Sequence, residues 1–193
     1  MDQELREKHT RQTNEIYQEI GRFAVNFEHV SLAMQFGIRA LLQKSGLQNQ
    51  QLANIMLADQ TAYPLKTMLQ AMVAEACNLD KSDRLIANRI FKRVGDLIET
   101  RNNVIHSTWF VGWAGAEDTD FSEVDGHKLS KGKDGASVKG FDYKASDFRR
   151  LSDECELVTK MINRLWATVA FGRKLSNNFV VGKDASVHLP PNA

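Results

Sequence analysis

The six residues from Arg101 to His106 carry the side chains best suited to chemistry in this chain. They end a strongly amphipathic stretch that is predicted to be helical. With Ile86 as the origin of a helical wheel, Arg101 falls at about 60°, within the apolar arc, and His106 falls at about 200°, beyond its edge. An arginine among apolar residues must meet a partner or line a cleft, because burying an unpaired charge is very costly.

An arginine, a neighbouring amide and a histidine are suitable groups for cleaving a phosphodiester. A guanidinium can bind two phosphate oxygens at once, and an imidazole exchanges a proton near neutral pH. RNA supplies its own nucleophile, the 2′-hydroxyl, so such a site needs neither a metal ion nor a nucleophilic side chain. Arg101, Asn102 and His106 are therefore candidates for phosphate binding, orientation and acid–base catalysis.

A purely structural interpretation of the same residues stays open. Arg101 can form an ion pair with a buried carboxylate, and Glu28, at the border of the apolar face of the first predicted helix, is the candidate. A single histidine near a helix edge is more often a surface or packing residue than a catalytic one. The two interpretations predict different effects of Arg101→Ala on stability.

The motif Arg101-Asn102-x-x-x-His106 resembles the Arg-x(4–6)-His signature of the HEPN superfamily, in which a polar residue commonly follows the arginine. The predicted order of elements over roughly residues 12–175 is similar as well, with long helices, a motif near the end of a late helix, and a final packing helix. The resemblance implies a homodimer in which the motifs of two protomers face one cleft. It also implies a metal-independent endoribonuclease that leaves 2′,3′-cyclic phosphate and 5′-hydroxyl ends.

The same resemblance implies a role for each motif residue. Arg101 binds the scissile phosphate, His106 assists proton transfer, and Asn102 orients them; we add Glu28, from the helical wheel, as an organiser of Arg101. One toxin branch of the family carries a tyrosine two residues after the histidine, which a partner nucleotidyltransferase modifies. Thr108 stands there in this chain, so that regulation is not carried over. We expect a toxin–antitoxin or phage-defence setting, with an antitoxin or defence-system partner.

An alternative function belongs to another class. Some members of the family have lost catalysis and serve as binding modules, so the chain can also be a helical adaptor for a partner protein or a nucleic acid. The presence of both Arg101 and His106 favours the enzyme.

The segment of about 109–145 is not a general part of the family's core. Trp109, together with Phe110 and Trp113, either stacks on unpaired bases or packs the segment onto the helices. A run of acidic residues precedes a run of lysines that begins at Lys128. We expect a solvated excursion whose halves attract each other; the alternative is a basic finger beside a phosphate-bearing ligand, with Lys128 binding substrate.

Apolar spacing predicts an all-α fold, an antiparallel bundle of about five helices with a small β-hairpin-like insertion before the last one. The first helix covers about 12–44 and ends at Gly46. A second covers 48–58 with Leu52, Ile55 and Met56 inward, and a third starts near Pro64. The fourth reaches the motif, a last one begins near residue 146, and a turn at 134–135 closes the hairpin. We expect one domain over 1–175 and a tail over 176–193.

Composition narrows the classes of function. The 193 residues include 25 basic and 24 acidic side chains, which argues against a strongly basic nucleic-acid coat protein. No apolar run approaches the ~20 residues of a membrane span, and no cysteine or histidine cluster has the spacing of a zinc site. Cys77 and Cys155 form no CxxC pattern, so we expect buried thiols, a cytoplasmic protein, no cofactor and no membrane contact.

Overall fold

The computed structural model describes residues 3–76, 79–112, 120–133 and 135–191. Within them lie five α-helices: α1 (Gln3–Lys44), α2 (Gln50–Leu57), α3 (Ala62–Ala76), α4 (Lys81–Ile105) and α5 (Ala145–Ala170). The strands are β1 (Thr108–Trp109), β2 (Glu123–Gly132), β3 (Gly135–Lys144), β4 (Val180–Val181) and β5 (Val187–His188). The chain divides into two compact units. Unit 1 comprises Met1–Phe27 and Glu99–Cys155, and unit 2 comprises Glu28–Ile98 and Glu156–Ala193.

The all-α prediction is wrong, because the protein is mixed α/β. Unit 1 contains a three-stranded antiparallel sheet in the order β1-β2-β3, and unit 2 contains a two-stranded sheet of β4 and β5. The insertion, predicted to be a small hairpin, forms a complete ten-pair ladder between β2 and β3. Strand β1, which begins two residues after the motif, is the third strand, with Thr108 opposite His127 and Trp109 opposite Gly126.

The β2–β3 turn lies one residue earlier than predicted. Gly132 pairs with Gly135, so the partner of every β2 residue lies two positions from the predicted one. Gly135 has a φ of +114°, a conformation that favours glycine. Asp134 lies outside the described residues.

Helix α2 presents the opposite face from the one predicted. Ala53 and Leu57 are its buried residues, whereas Leu52, Ile55 and Met56 are 47%, 71% and 52% exposed. Both faces of this two-turn helix are apolar, so periodicity alone could not identify the inner one. Three large apolar side chains of this helix therefore remain in contact with solvent.

Salt bridges connect α1 to the start of α5 within unit 1. Arg149 Nη2 lies 3.0 Å from Glu15 Oε1 and 3.0 Å from Glu19 Oε1. Glu19 is buried, so this arginine compensates a carboxylate that has lost most of its water. The two carboxylates raise the pKa of Arg149 above its ordinary value, and Glu19 has the larger effect.

Gly37 marks a close helix approach in unit 2. A Cβ atom there would lie 2.9 Å from Trp166 Cδ1 and 3.0 Å from Leu69 Cδ1, whereas one at Gly21 would meet nothing within 4 Å. α1 also ends as predicted, at Gly46 with a φ of +102°, where the Leu47 and Gly46 N–H groups donate to the carbonyls of residues 42 and 43.

Substitution by alanine should change the stability of the protein in opposite directions at Gly37 and at Gly21. We expect Gly37→Ala to lower the free energy of unfolding by about 1–3 kcal/mol, because the added methyl overpacks the contact with Trp166. Gly21→Ala should raise it by about 0.5–1 kcal/mol, because alanine restricts the unfolded chain at an open helical site. Urea denaturation of the two variants measures both. Equal effects of the same sign would contradict the close approach.

The segment after residue 175, expected as a tail, contains structure of its own. A 3₁₀ turn (Leu175–Asn177) precedes β4 and β5, and Leu175, Phe179 and Val187 are buried. Cys155 is buried as expected, and Cys77 lies outside the described residues. Over the described ranges, no helix has both the length and the apolar character needed to cross a membrane.

Candidate active site at the end of helix α4

The candidate site is built on the last turn of α4, in unit 1. Arg101 is half-buried, and its guanidinium carbon lies 5.5 Å from the centroid of the Phe27 ring. Its Nη1 atom donates to Asn102 Oδ1 at 3.4 Å, so the amide beside the arginine contacts it directly. Stacking on an aromatic ring holds the plane of a guanidinium without neutralising its charge.

His106 is the first residue after α4 and is exposed. Its backbone N–H donates to the carbonyl of Asn102 at 3.3 Å, which continues the helical hydrogen-bond pattern by one residue. Residues five apart on a helix point about 140° away from each other. Arg101 and His106 of one chain therefore leave the helix in different directions.

Strand β2 brings Lys128 to the motif. Its Nζ atom donates to the Asn102 carbonyl at 3.2 Å and to Asn103 Oδ1 at 3.1 Å. The final carbonyls of a helix lack intrahelical partners and carry partial negative charge, which favours a cation there. The result is a second positive charge beside the residues that follow Arg101.

Two further carbonyls at this helix end also have hydrogen-bond donors. Ser107 Oγ donates to the carbonyl of Asn103 at 2.6 Å, and Trp109 Nε1 donates to that of Val104 at 2.7 Å. The chain segment that follows the motif thus caps the helix that carries it. This capping holds the backbone around His106 while its side chain faces solvent.

Trp109 lies in an aromatic cluster. Its ring centroid is 5.3 Å from that of Phe148 and 5.6 Å from that of Tyr143. A Cβ atom at Gly126 would lie 2.6 Å from the indole, so only glycine fits beneath it. This is the packing alternative from the sequence, and we assign Trp109 no base-stacking role. Phe110 lies beside the ring of His127, at 5.3 Å, and Trp113 is outside the described residues.

The predicted site residues therefore differ in how they are placed. Arg101, Asn102, His106 and Lys128 lie at one helix end in unit 1. Glu28 is an exposed residue of α1 in unit 2. Sequence reasoning missed Phe27 and Asn103. Phe27 belonged to the apolar stripe of α1, and Asn103 occupied an unspecified position of the motif, so neither carried a functional signal.

Two carboxylates face each other on the outer surface of the hairpin. Asp125 of β2 is directly opposite Asp142 of β3. The pKa of Asp125 is raised above its ordinary value of 3.8, mainly by the hydrogen bond to Asp142 and then by desolvation and by the charge of Asp142. The charge of His127 lowers this pKa, and that of Glu123 raises it slightly further. The folded protein thus binds this proton more tightly than the unfolded chain does.

Removing this repulsion should stabilise the protein at neutral pH. We expect Asp142→Asn to raise the free energy of unfolding at pH 7 by up to about 1 kcal/mol, a small gain because solvent screens an exposed pair. The gain should disappear as the pH falls through the raised pKa of Asp125, because protonation relieves the wild type as well. Urea denaturation between pH 7 and pH 4 measures it. A gain that grows toward acid pH would contradict this account.

Within the described ranges, no group of three or more His, Cys, Asp or Glu residues is arranged to hold a metal ion. No protein-family model matches the chain, and neither a curated protein nor a solved structure matches it.

Proposed function

We propose that this protein is a metal-independent endoribonuclease of HEPN type. The observation that carries the proposal is the end of α4, where half-buried Arg101, exposed His106 and the ammonium group of Lys128 occupy one helix terminus. Two positioned cations and an accessible imidazole at the same helix terminus supply the groups that cleave a phosphodiester with its own nucleophile. A toxin–antitoxin or phage-defence role is part of the proposal.

Each residue then has a defined task. His106 accepts the proton of the 2′-hydroxyl, or donates one to the leaving 5′-oxygen, as the O2′–P bond forms and the P–O5′ bond breaks. Arg101 binds the non-bridging oxygens as negative charge develops on them. Asn102 orients the guanidinium through the contact at 3.4 Å, and Lys128 adds positive charge. The products are a 2′,3′-cyclic phosphate and a 5′-hydroxyl.

A second copy of the chain completes the site in this proposal. Arg101 and His106 leave the helix about 140° apart, so a cleft between two helix ends can pair the arginine of one protomer with the histidine of its partner. Mixing the inactive variants Arg101→Ala and His106→Ala should then restore about a quarter of wild-type cleavage, since half the dimers are mixed and each holds one intact site. Subunit exchange before the assay is followed by mass spectrometry. No recovery in exchanged dimers would contradict a shared site.

The test of the activity is cleavage of a mixed RNA substrate by purified protein in excess EDTA. We expect fragments with 2′,3′-cyclic phosphate and 5′-hydroxyl ends. We expect no cleavage of a substrate in which 2′-deoxynucleotides replace the ribonucleotides at the cleavage sites. Cleavage that requires added Mg²⁺, or that persists on the 2′-deoxy substrate, would overturn the proposed chemistry.

The exposed face of α2 favours a second candidate, a helical adaptor that binds a partner protein. Leu52, Ile55 and Met56 present a contiguous apolar helix face to solvent, and such faces are typical of helix-in-groove contacts. For an adaptor, binding survives Arg101→Ala and His106→Ala but is lost in Ile55→Glu, and no RNA turnover occurs. Turnover that requires His106 selects the enzyme instead.

A further inference from the structure

A cavity of about 250 Å³ opens at the C-terminal end of α5, within unit 2 and apart from the motif. Its walls are formed by side chains from α5 and from the segment that follows it: Arg164, Ala167, Thr168, Phe171, Arg173 and Asn178. Neither acidic residues nor histidines are among them. The volume lies just below the usual range of ligand pockets and suits one small ligand rather than an extended cofactor.

The two arginines of this cavity retain most of their hydrogen-bonding capacity. Arg164 Nη1 donates to the Asn178 carbonyl at 3.3 Å, which holds the side chain in place and leaves its other N–H groups available. The Arg173 guanidinium lies over the Phe171 ring at 5.8 Å. Among the described residues, no carboxylate lies within 4.0 Å of either guanidinium.

The carbonyls at the end of α5 do not compete for these arginines. The N–H groups of Phe171, Gly172 and Arg173 donate to the carbonyls of residues 167, 169 and 168. Gly172 has a φ of +65°, which closes the helix in a Schellman motif. These carbonyls thus accept from backbone N–H groups, and that of Val169 also accepts from Lys44 Nζ at 2.8 Å. The two guanidiniums remain available to an external anion.

Phe171 supplies a flat apolar surface beside these charges. Its side chain directly follows α5 and is 76% exposed, the second most exposed large hydrophobic residue among those described. An aromatic ring held at a cavity that also carries two arginines can stack on a base while they bind phosphate. A purely anionic ligand would leave the ring unused, and a purely apolar one would leave the charges unpaired.

We propose that this cavity binds a nucleoside monophosphate, with its phosphate between Arg164 and Arg173 and its base on Phe171. The ligand is either a free nucleotide or the 5′-phosphorylated end of an RNA, which present the same chemistry. Stacking on a phenyl ring discriminates little between bases. The affinity of the site should therefore depend on the phosphate group and only weakly on which base is present. The proposal does not depend on the ribonuclease activity, because no residue of the α4 site takes part.

Isothermal titration calorimetry of the full chain with AMP measures binding at this site. We expect a Kd below about 1 mM, and at least about tenfold weaker binding of adenosine, which lacks the phosphate. Arg173→Ala and Phe171→Ala should each weaken AMP binding about tenfold, and Arg173→Lys should recover only part of it, because an ammonium cannot form the bidentate contact.

Arg150→Ala is the matched control, because Arg150 is an exposed arginine of the same helix and is paired with Asp147. Both Arg150→Ala and His106→Ala should bind AMP with the same affinity as the wild type. Circular dichroism establishes that every variant is folded. Comparing AMP with a 5′-phosphorylated and a 5′-hydroxyl tetranucleotide identifies the source: tighter binding of the phosphorylated oligonucleotide indicates an RNA end, and tighter binding of AMP a free nucleotide. No saturation by AMP or by the phosphorylated oligonucleotide at about 10 mM, or equal binding by wild type and Arg173→Ala, would overturn the proposal.

Discussion

His106→Ala should lower the rate of RNA cleavage by about 10²- to 10⁴-fold, the usual contribution of a positioned acid–base group. The side chain is exposed, so its removal creates no cavity. The helix end around it is capped by Ser107, Trp109 and Lys128 through contacts that do not involve the imidazole. The melting temperature should therefore stay within about a degree of the wild-type value.

The measurement is single-turnover cleavage of a labelled RNA in EDTA, at matched protein concentration and oligomeric state. His29→Ala is the matched control, because His29 is likewise an exposed histidine, on α1, and it should cleave at the wild-type rate. A His106→Ala protein that cleaves like the wild type would exclude this histidine from catalysis.

Arg101→Ala should lower kcat/KM by about 10²- to 10³-fold, because it removes a charge aimed at the developing phosphate charge. Arg101→Lys should recover little of the loss, since lysine cannot bind two oxygens through a planar fork. In this half-buried position the loss of the contact with Phe27 costs about 0.5–1 kcal/mol of stability. The phosphate-binding interpretation of Arg101 therefore predicts a fall of only a few degrees in the melting temperature.

The structural interpretation of Arg101 predicts the reverse, a large loss of stability and no loss of cleavage activity. If its main role is to compensate a buried carboxylate, Arg101→Ala should lower stability by about 3–5 kcal/mol, while the remaining folded protein cleaves normally. Thermal denaturation and cleavage per folded molecule separate the two interpretations. Lys128→Ala is a useful companion, because it removes a cation from the same helix end and should slow cleavage less than Arg101→Ala.

Local signals in the sequence were sufficient for the long helices and for the place of the motif. The apolar spacing of α1, α4 and α5 extends over many turns, and Gly46 ends α1 as predicted, because both signals depend on residues within a turn of each other. The paired strands of the insertion were also visible from its alternation and its turn residues, although the turn itself lies one position earlier. The motif residues could be selected for the same reason, since Arg101, Asn102 and His106 are close along the chain.

Contacts between distant segments required the folded structure. The sheet that makes the protein mixed α/β depends on β1 pairing with β2, about 18 residues away, and two-residue strands have no periodicity to detect. The inner face of α2 could not be predicted from the sequence, because both faces of the helix carry apolar residues. Phe27 beneath Arg101, and Lys128 at the end of α4, are 74 and 26 residues from their partners. Such pairs follow from packing and strand register, which a sequence pattern of a few residues does not encode.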